Sequence, residues 1–373
     1  MSANLNYDNE GRASVAFTGA LPWHREGQKI ENAFTMEEAI KEANLDYEVE
    51  LRPLHIYDGE NVSHRVPNRQ AVVRKDNNVT LGVVGNKYSV LQPREAFGFF
   101  DGLFGEGKCR YDVAGVLGNG ERLWLLAKIE DNEPLEIVPN DVLEKYLCLT
   151  TAFDGSGATI ATPTPVRVVC QNTVNVVLKD VKAADREGIQ NFVRVKHTGD
   201  CAARLKDAGQ ILKNTGIWYD EAKMHFQKFA KTDLTVKQTR DYVATVLYNE
   251  DTANENVDEW KARTRNTVNS VMDLVDGGRG SDIKGVRGTL WGAYNALTEY
   301  ADHTKVYRGT KTKTGVDSRK SFEQSQFGSG RGMKERAFNV AVETATRHAK
   351  WQAAKEPIMP VEATIAKFGP VNN

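Results

Sequence analysis

Tyr111-Asp-Val-Ala-Gly-Val-Leu-Gly-Asn-Gly-Glu-Arg-Leu-Trp-Leu-Leu-Ala-Lys-Ile129 is two β-favouring runs joined through Gly118-Asn119-Gly120. Residues that tolerate left-handed backbone, set between apolar runs, predict an antiparallel hairpin. The pattern continues on both sides. Upstream, Tyr47-Glu-Val-Glu-Leu51, Gln70-Ala-Val-Val-Arg74 and Leu81-Gly-Val-Val84 are short runs punctuated by Asp58-Gly59 and Asn77-Asn78. Downstream, Leu143 to Phe153 and Ala158 to Cys170 flank Asp154-Gly155-Ser156-Gly157. Thr35 reads as the cap of a helix ending near Asn44, with Glu38 completing a capping box. Pro93 opens a second helix through Phe97, Phe99, Phe100, Leu103 and Phe104. Helix, strands, helix, more strands is an α+β order without βαβ alternation: an antiparallel β-sheet core with hairpins packed by helices.

After Thr173 the apolar spacing becomes helical over Ala202–Leu212, Tyr219–Ala230, Thr235–Leu247, Asp258–Val275 and Arg287–His303, with Thr235 and Asp258 as caps. This predicts a helical C-terminal region. The expected organisation is an N-terminal arm over 1–30, loosely held and anchored by Trp23, then the sheet core over 31–200 and a helical region over 201–303. A basic flexible loop over 304–333 and a last helix and tail over 334–373 follow.

The 373 residues carry a net charge of −1, so no global field drives binding to nucleic acid or membrane. The charge is segregated instead. Asp131, Glu133, Glu136, Asp141 and Glu144 stand in a stretch with no basic residue, while the nine Lys and Arg of residues 305–336 face only Asp317, Glu323 and Glu335. The N-terminus lacks the order of a signal peptide, and the chain has no long uncharged apolar run. A cytoplasmic protein with no membrane partner is expected.

Chemistry-bearing motifs are sparse. Cys109, Cys148, Cys170 and Cys201 form no CxxC pair, and the seven His are scattered, so no metal site is expected. Gly102-Leu-Phe-Gly-Glu-Gly107-Lys108 has the letters of a phosphate loop, but Cys109 follows where Ser or Thr belongs, and its context is helix-to-strand. It reads as a turn. No nucleophile signature is present, which leaves only a spatially assembled catalytic site open. The expectation is a non-enzyme without a cofactor.

The candidate binding residues lie in two places. In Thr164-Pro-Val-Arg-Val-Val-Cys-Gln-Asn-Thr173, Arg167 sits in a β-branched run, where it either contacts a phosphate or pairs with a carboxylate such as Asp154. Gln171 and Asn172 either read base edges or cap the strand. Arg74 and Lys75 stand on a neighbouring strand. The second place is Lys305, Arg308, Lys311, Lys313, Arg319, Lys320 and Arg331, interleaved with Tyr307, Phe322 and Phe327. Phosphate neutralisation with aromatic stacking is the physics of single-strand binding, and a solvated loop has the same composition. Trp291, Tyr294 and Tyr300 form an aromatic face that is core or oligomer interface rather than a base platform.

Trp23-His-Arg-Glu-Gly27 with Thr35–Tyr47, Tyr88-Ser-Val-Leu-Gln-Pro93, Thr164–Thr173 and Gly288–His303 together resemble an uncharacterised family of phage and plasmid proteins bearing a domain-of-unknown-function label. The resemblance runs from about residue 20 to 350. A more remote similarity links such proteins to the Rad-type single-strand annealing superfamily, with the phage Red-beta, Erf and Sak recombinases. That resemblance implies a sheet-plus-helix core, homo-oligomers, a basic groove for single-stranded DNA and no cofactor. The expected function is single-strand binding and annealing in recombination. The alternative is a phage structural or host-interaction protein that assembles through its helical region without binding nucleic acid.

Overall fold

The computed structural model describes residues 11–18, 27–30, 36–57, 59, 63–104, 109–130, 134–167, 172–173, 193–205, 215–308, 311–312, 315–316, 324–325 and 328–355. In chain order the first half holds β1 (Val15–Phe17), β2 (Gln28–Lys29), α1 (Met36–Glu42), β3 (Val49–Tyr57), β4 (Ser63–Arg74), β5 (Thr80–Gly85) and α2 (Pro93–Phe104). Then come β6 (Cys109–Leu117), β7 (Arg122–Ile129), β8 (Leu135–Val138), β9 (Asp141–Ala152), β10 (Thr159–Arg167), β11 (Asn172–Thr173) and β12 (Val193–Val195). The helical half holds α3 (Thr215–Ala230), α4 (Val236–Leu247), α5 (Glu250–Asn254), α6 (Ala262–Gly277) and α7 (Leu290–Glu299), which runs into a π-helical turn at Tyr300–Thr304. β13 (Lys311–Thr312), β14 (Gly315–Val316) and α8 (Ser329–Lys355) complete it. The fold is α+β, as the hairpin pattern predicts.

The main sheet has the order β11-β10-β9-β7-β6-β1-β2, with β12 also on β10 and β8 on β9. Its ladders are antiparallel except for β1 beside β2. Gly118 and Gly120 turn the β6–β7 hairpin at φ +68° and +117°, backbone that glycine reaches without a Cβ clash. One face packs on α1 and α2 through Ala39, Ile40, Phe97, Leu125, Leu147 and Leu149. β1 corrects the expectation of a loose arm: Val15, Ala16 and Phe17 are buried against β6. An apolar run this short carries no periodic signal. Trp23 and Thr35 lie outside the described residues.

A second sheet, β3-β4-β5, packs across the turns of the first. Arg74 is the clamp. Its guanidinium donates to Asp76 through Nε and Nη2, to Asn119 O through Nη1 at 2.8 Å, and lies 4.0 Å over the Tyr47 ring. Tyr47 donates to Gly120 O. A Cβ on Gly82 would stand 2.5 Å from the Asp154 backbone, so glycine alone permits this second contact.

The helices form their own core around α7, all of whose residues are buried. The one-sided aromatic face predicted there is therefore half the picture. Trp291 and Tyr294 pack among Phe226, Phe229 and Phe338, while Gly292, Ala293 and Ala296 let other backbone approach the opposite side. A helix buried all round lies at a domain's centre. Tyr300 is half-buried in the π turn. Thr235 caps α4 through a full capping box with Gln238. Asp258 does not cap α6; Asn256 caps the short 3-10 turn Val257–Glu259 and α6 starts at Ala262.

Two buried contacts join helices to sheet. Trp291 Nε1 donates to Asp141 Oδ2 at 2.7 Å. Tyr219 brings its hydroxyl to the β9–β10 ladder, accepting from Thr164 N at 3.2 Å and donating to Tyr146 O. Pro163 and Pro165 flank Thr164 where, among the described residues, neither β11 nor β12 pairs with β10, so their missing N–H groups cost no ladder bond there. Replacing Tyr219 by Phe removes both of these buried hydrogen bonds. Urea unfolding of Tyr219→Phe should show a loss of about 1–3 kcal/mol, and unchanged stability would show that the contact is dispensable.

Candidate nucleic-acid interface

The start of α8 and the residues after the π turn form a basic surface on a buried ionic base. Asp302 projects from the π turn and takes Lys334 Nζ at 2.8 Å and the Ser325 hydroxyl at 3.2 Å. Both ions of the Lys334–Asp302 pair are buried. Losing either partner strands the other charge, so the pair fixes α8 against the π turn. Above it, Tyr307 is buried and donates to Ala301 O. Lys305 lies 5.2 Å from that ring's centroid, and Arg308, Lys311 and Arg336 are exposed. Burial, reinforced by Arg336, lowers the Lys305 pKa. A lysine held this way sits in a positive potential that an anion would relieve.

Arg331 donates to Glu335 one turn on at 2.8 Å. Its charge also reaches Cys148 on β9, where burial pushes the thiol up to about 12 and Arg331 acts in the opposite direction.

The residues predicted from sequence separate into distinct groups. Lys305, Arg308 and Arg331 belong to this surface, and Arg336, which sequence reasoning counted but did not select, joins them; Lys311 is exposed on β13, which pairs with β14. The 304–333 segment is less loop-like than expected: Tyr307 is packed, β13 and β14 pair, and α8 begins at Ser329 rather than Lys334. Tyr307 is consequently no stacking platform. Lys313, Arg319, Lys320, Phe322, Phe327 and Gln171 lie outside the described residues, as do the side chains of Arg167 and Asn172. The backbone still decides one question. Arg167 pairs with Leu143 at one end of β10 and Asp154 belongs to the turn at the other, about 23 Å along the ladder. Pairing of Arg167 with Asp154 is excluded.

Arg74 and Lys75 leave the candidate set. Arg74 is 2% exposed and committed to the turn clamp. Lys75 is exposed but ion-paired to Glu48. An Arg alternating with valines reads equally as a surface cation or a buried clamp, and only the Tyr47–Gly120 geometry distinguishes them. Trp291 and Tyr294 are core, so they present no surface for assembly.

The remaining titratable groups serve the fold. Tyr146 donates to Asp112 at 2.6 Å and Glu144 at 3.0 Å, and burial raises its pKa beyond any physiological role. Lys128 in turn binds Glu144. His197 Nε2 lies between the Thr151 and Thr159 hydroxyls at 3.1 and 3.3 Å, its Nδ1 faces Ser89 O, and its ring stacks on Tyr88. Burial lowers the pKa of His197. Among the described residues no group of three acidic, His or Cys side chains is arranged to hold a metal. No described helix is long and apolar enough to cross a membrane.

Residues 80–322 match the family described as Domain of unknown function (DUF932). No curated protein and no solved structure matches the chain. The matched span holds the Tyr219 contact, Asp141, Trp291, and Lys305 and Arg308 of the basic surface.

His197 and the half-buried His225, lodged against Phe229 and Phe338, both have pKa values lowered chiefly by burial. As pH falls through the ordinary His value of about 6.5, the unfolded chain takes up protons that the folded chain does not, so stability drops. Thermal unfolding should show a lower Tm at about pH 5.5 than at about pH 7.5, and His197→Gln should flatten that dependence. A slope unchanged by the substitution would remove His197 as its source.

Proposed function

The chain belongs to the DUF932 family, and we propose that it binds single-stranded DNA and promotes annealing during recombination of a phage or plasmid, as a homo-oligomer and without a cofactor. The observation that carries this reading is the anchored cation surface of Lys305, Arg308, Arg331 and Arg336, with exposed Lys311 three residues further along the chain. Its only described acids are Glu335, paired to Arg331, and Asp302, buried under Lys334. Free cations on a rigid base lose little entropy on meeting a phosphate backbone. The internal position of Trp291 and Tyr294 speaks against the alternative of assembly through the aromatic helix.

Fluorescence anisotropy with a single-stranded oligonucleotide tests this. Affinity should fall steeply with salt, with a log–log slope of about −3.5 if some five cations meet phosphates. Replacing exposed Arg308, Lys311 and Arg336 together by Ala should reduce the slope by about 2 and leave the melting temperature near wild type. Absence of binding at low salt, or a slope indifferent to the triple substitution, would overturn the reading.

A further inference from the structure

Past β5, strands β3 and β4 continue as a two-stranded ribbon. β5 pairs with β4 only from Arg69 to Val73, whereas β3 and β4 stay paired through His55–Arg65, Ile56–His64 and Tyr57–Ser63. In this outer section Leu54 and Val66 are half-buried and the other described residues are exposed. Ile56 is 60% and Tyr57 70% exposed. The ribbon reaches about 13 Å beyond Pro53 before its turn. The register shifts between Pro53 and His55, and Asn68 takes φ +58°, the kind of irregularity that re-aims a strand. An isolated two-stranded ribbon gains little stability of its own. Exposed apolar and aromatic side chains at its end call for a partner.

The chemistry of the ribbon narrows that partner. Residues 51–57 and 63–74 contain no Asp or Glu; Asp58 and Glu60 fall between the two strands in sequence, outside the described residues. Arg65 and Arg69 are exposed and form no ion pair among the described residues. Residues directly opposite share a face, so His55, Tyr57, Ser63 and Arg65 occupy one side of the ribbon and Ile56 and His64 the other. His55 is fixed by a 2.6 Å contact between Nδ1 and the Ser63 hydroxyl.

The geometry points to a duplex-engaging arm: the ribbon enters the groove of double-stranded nucleic acid, with Arg65 and Arg69 on phosphates and Tyr57 at the leading edge. A major groove about 12 Å wide admits a two-stranded ribbon, and the two phosphate backbones that border it offer partners to Arg65 and Arg69. This inference rests on the nucleic-acid reading above and gives the product duplex its own contact, separate from the α8 surface that holds the single strand.

The test compares a single-stranded oligonucleotide with the blunt duplex of the same sequence, using the full chain. Arg65→Ala with Arg69→Ala should weaken duplex binding roughly tenfold and lower its salt slope by about 2, with single-strand affinity and melting temperature unchanged. The α8-surface triple variant should do the reverse. Duplex binding unaffected by the arm substitutions, or absent in the wild type, overturns the arm while leaving the single-strand reading intact. Equal loss on both substrates with unchanged melting also overturns it. A fall in light-scattering mass for Ile56→Ser with Tyr57→Ser, without loss of duplex affinity, assigns the arm to a second copy and overturns it too. Absence of single-strand binding in the wild type sinks the function reading instead, and the duplex result then judges the arm alone.

Discussion

The hydroxyl of Tyr219 docks on the β9–β10 ladder, accepting from Thr164 N and donating to Tyr146 O, and much of the architecture hangs on that contact. It ties α3 to a ladder whose register runs unbroken through Thr164 and Tyr146. A docked α3 brings Phe226 and Phe229 against α7, and α7 carries Trp291 to the buried Asp141 carboxylate. Sheet and helices are thereby locked at two points on one pair of strands. An unmet donor or acceptor at either point would cost more than the bond itself contributes, which makes the joint specific.

The basic surface inherits its rigidity from this joint. α7 ends in a π turn, and π turns displace side chains from regular helical positions. Asp302 is turned inward to Lys334, which pins the first turns of α8. Cations that composition alone would assign to a solvated loop are held in place, and the half-buried Lys305 senses its neighbours. The asymmetry with Arg74 is instructive. Both sites carry positive charge, but all three guanidinium nitrogens of Arg74 are engaged internally, whereas Arg308, Lys311 and Arg336 are exposed to solvent.

The fold class was legible because Gly118-Asn119-Gly120 and Asp154-Gly155-Ser156-Gly157 are turn chemistry between β-favouring runs, and Thr235 is a hydroxyl cap. What escaped was whatever depends on distant partners. Arg74 looks like a surface cation until Tyr47 and Asn119 are brought to it. Val15–Phe17 is too short to announce a sheet strand. The start of α8 was hidden by Gly328, Gly330 and Gly332, which lower helix propensity, yet the first two are required by close contacts: a Cβ on Gly328 would collide with Gln324 and one on Gly330 with Tyr307 and Ser325. The exposed ribbon was read as an ordinary hairpin because its distinguishing property, exposure on both faces, is set by where β5 stops.

Hydrogen–deuterium exchange with and without a single-stranded oligonucleotide tests the central claim, a single strand held on the α8 surface, most directly. The account predicts slowed exchange of backbone amides at residues 305–308 and 328–336, with β6 and β7 unchanged, because the strand lies on an already structured surface. Unaltered exchange across those two segments at saturating oligonucleotide, or protection confined to other elements, would contradict it.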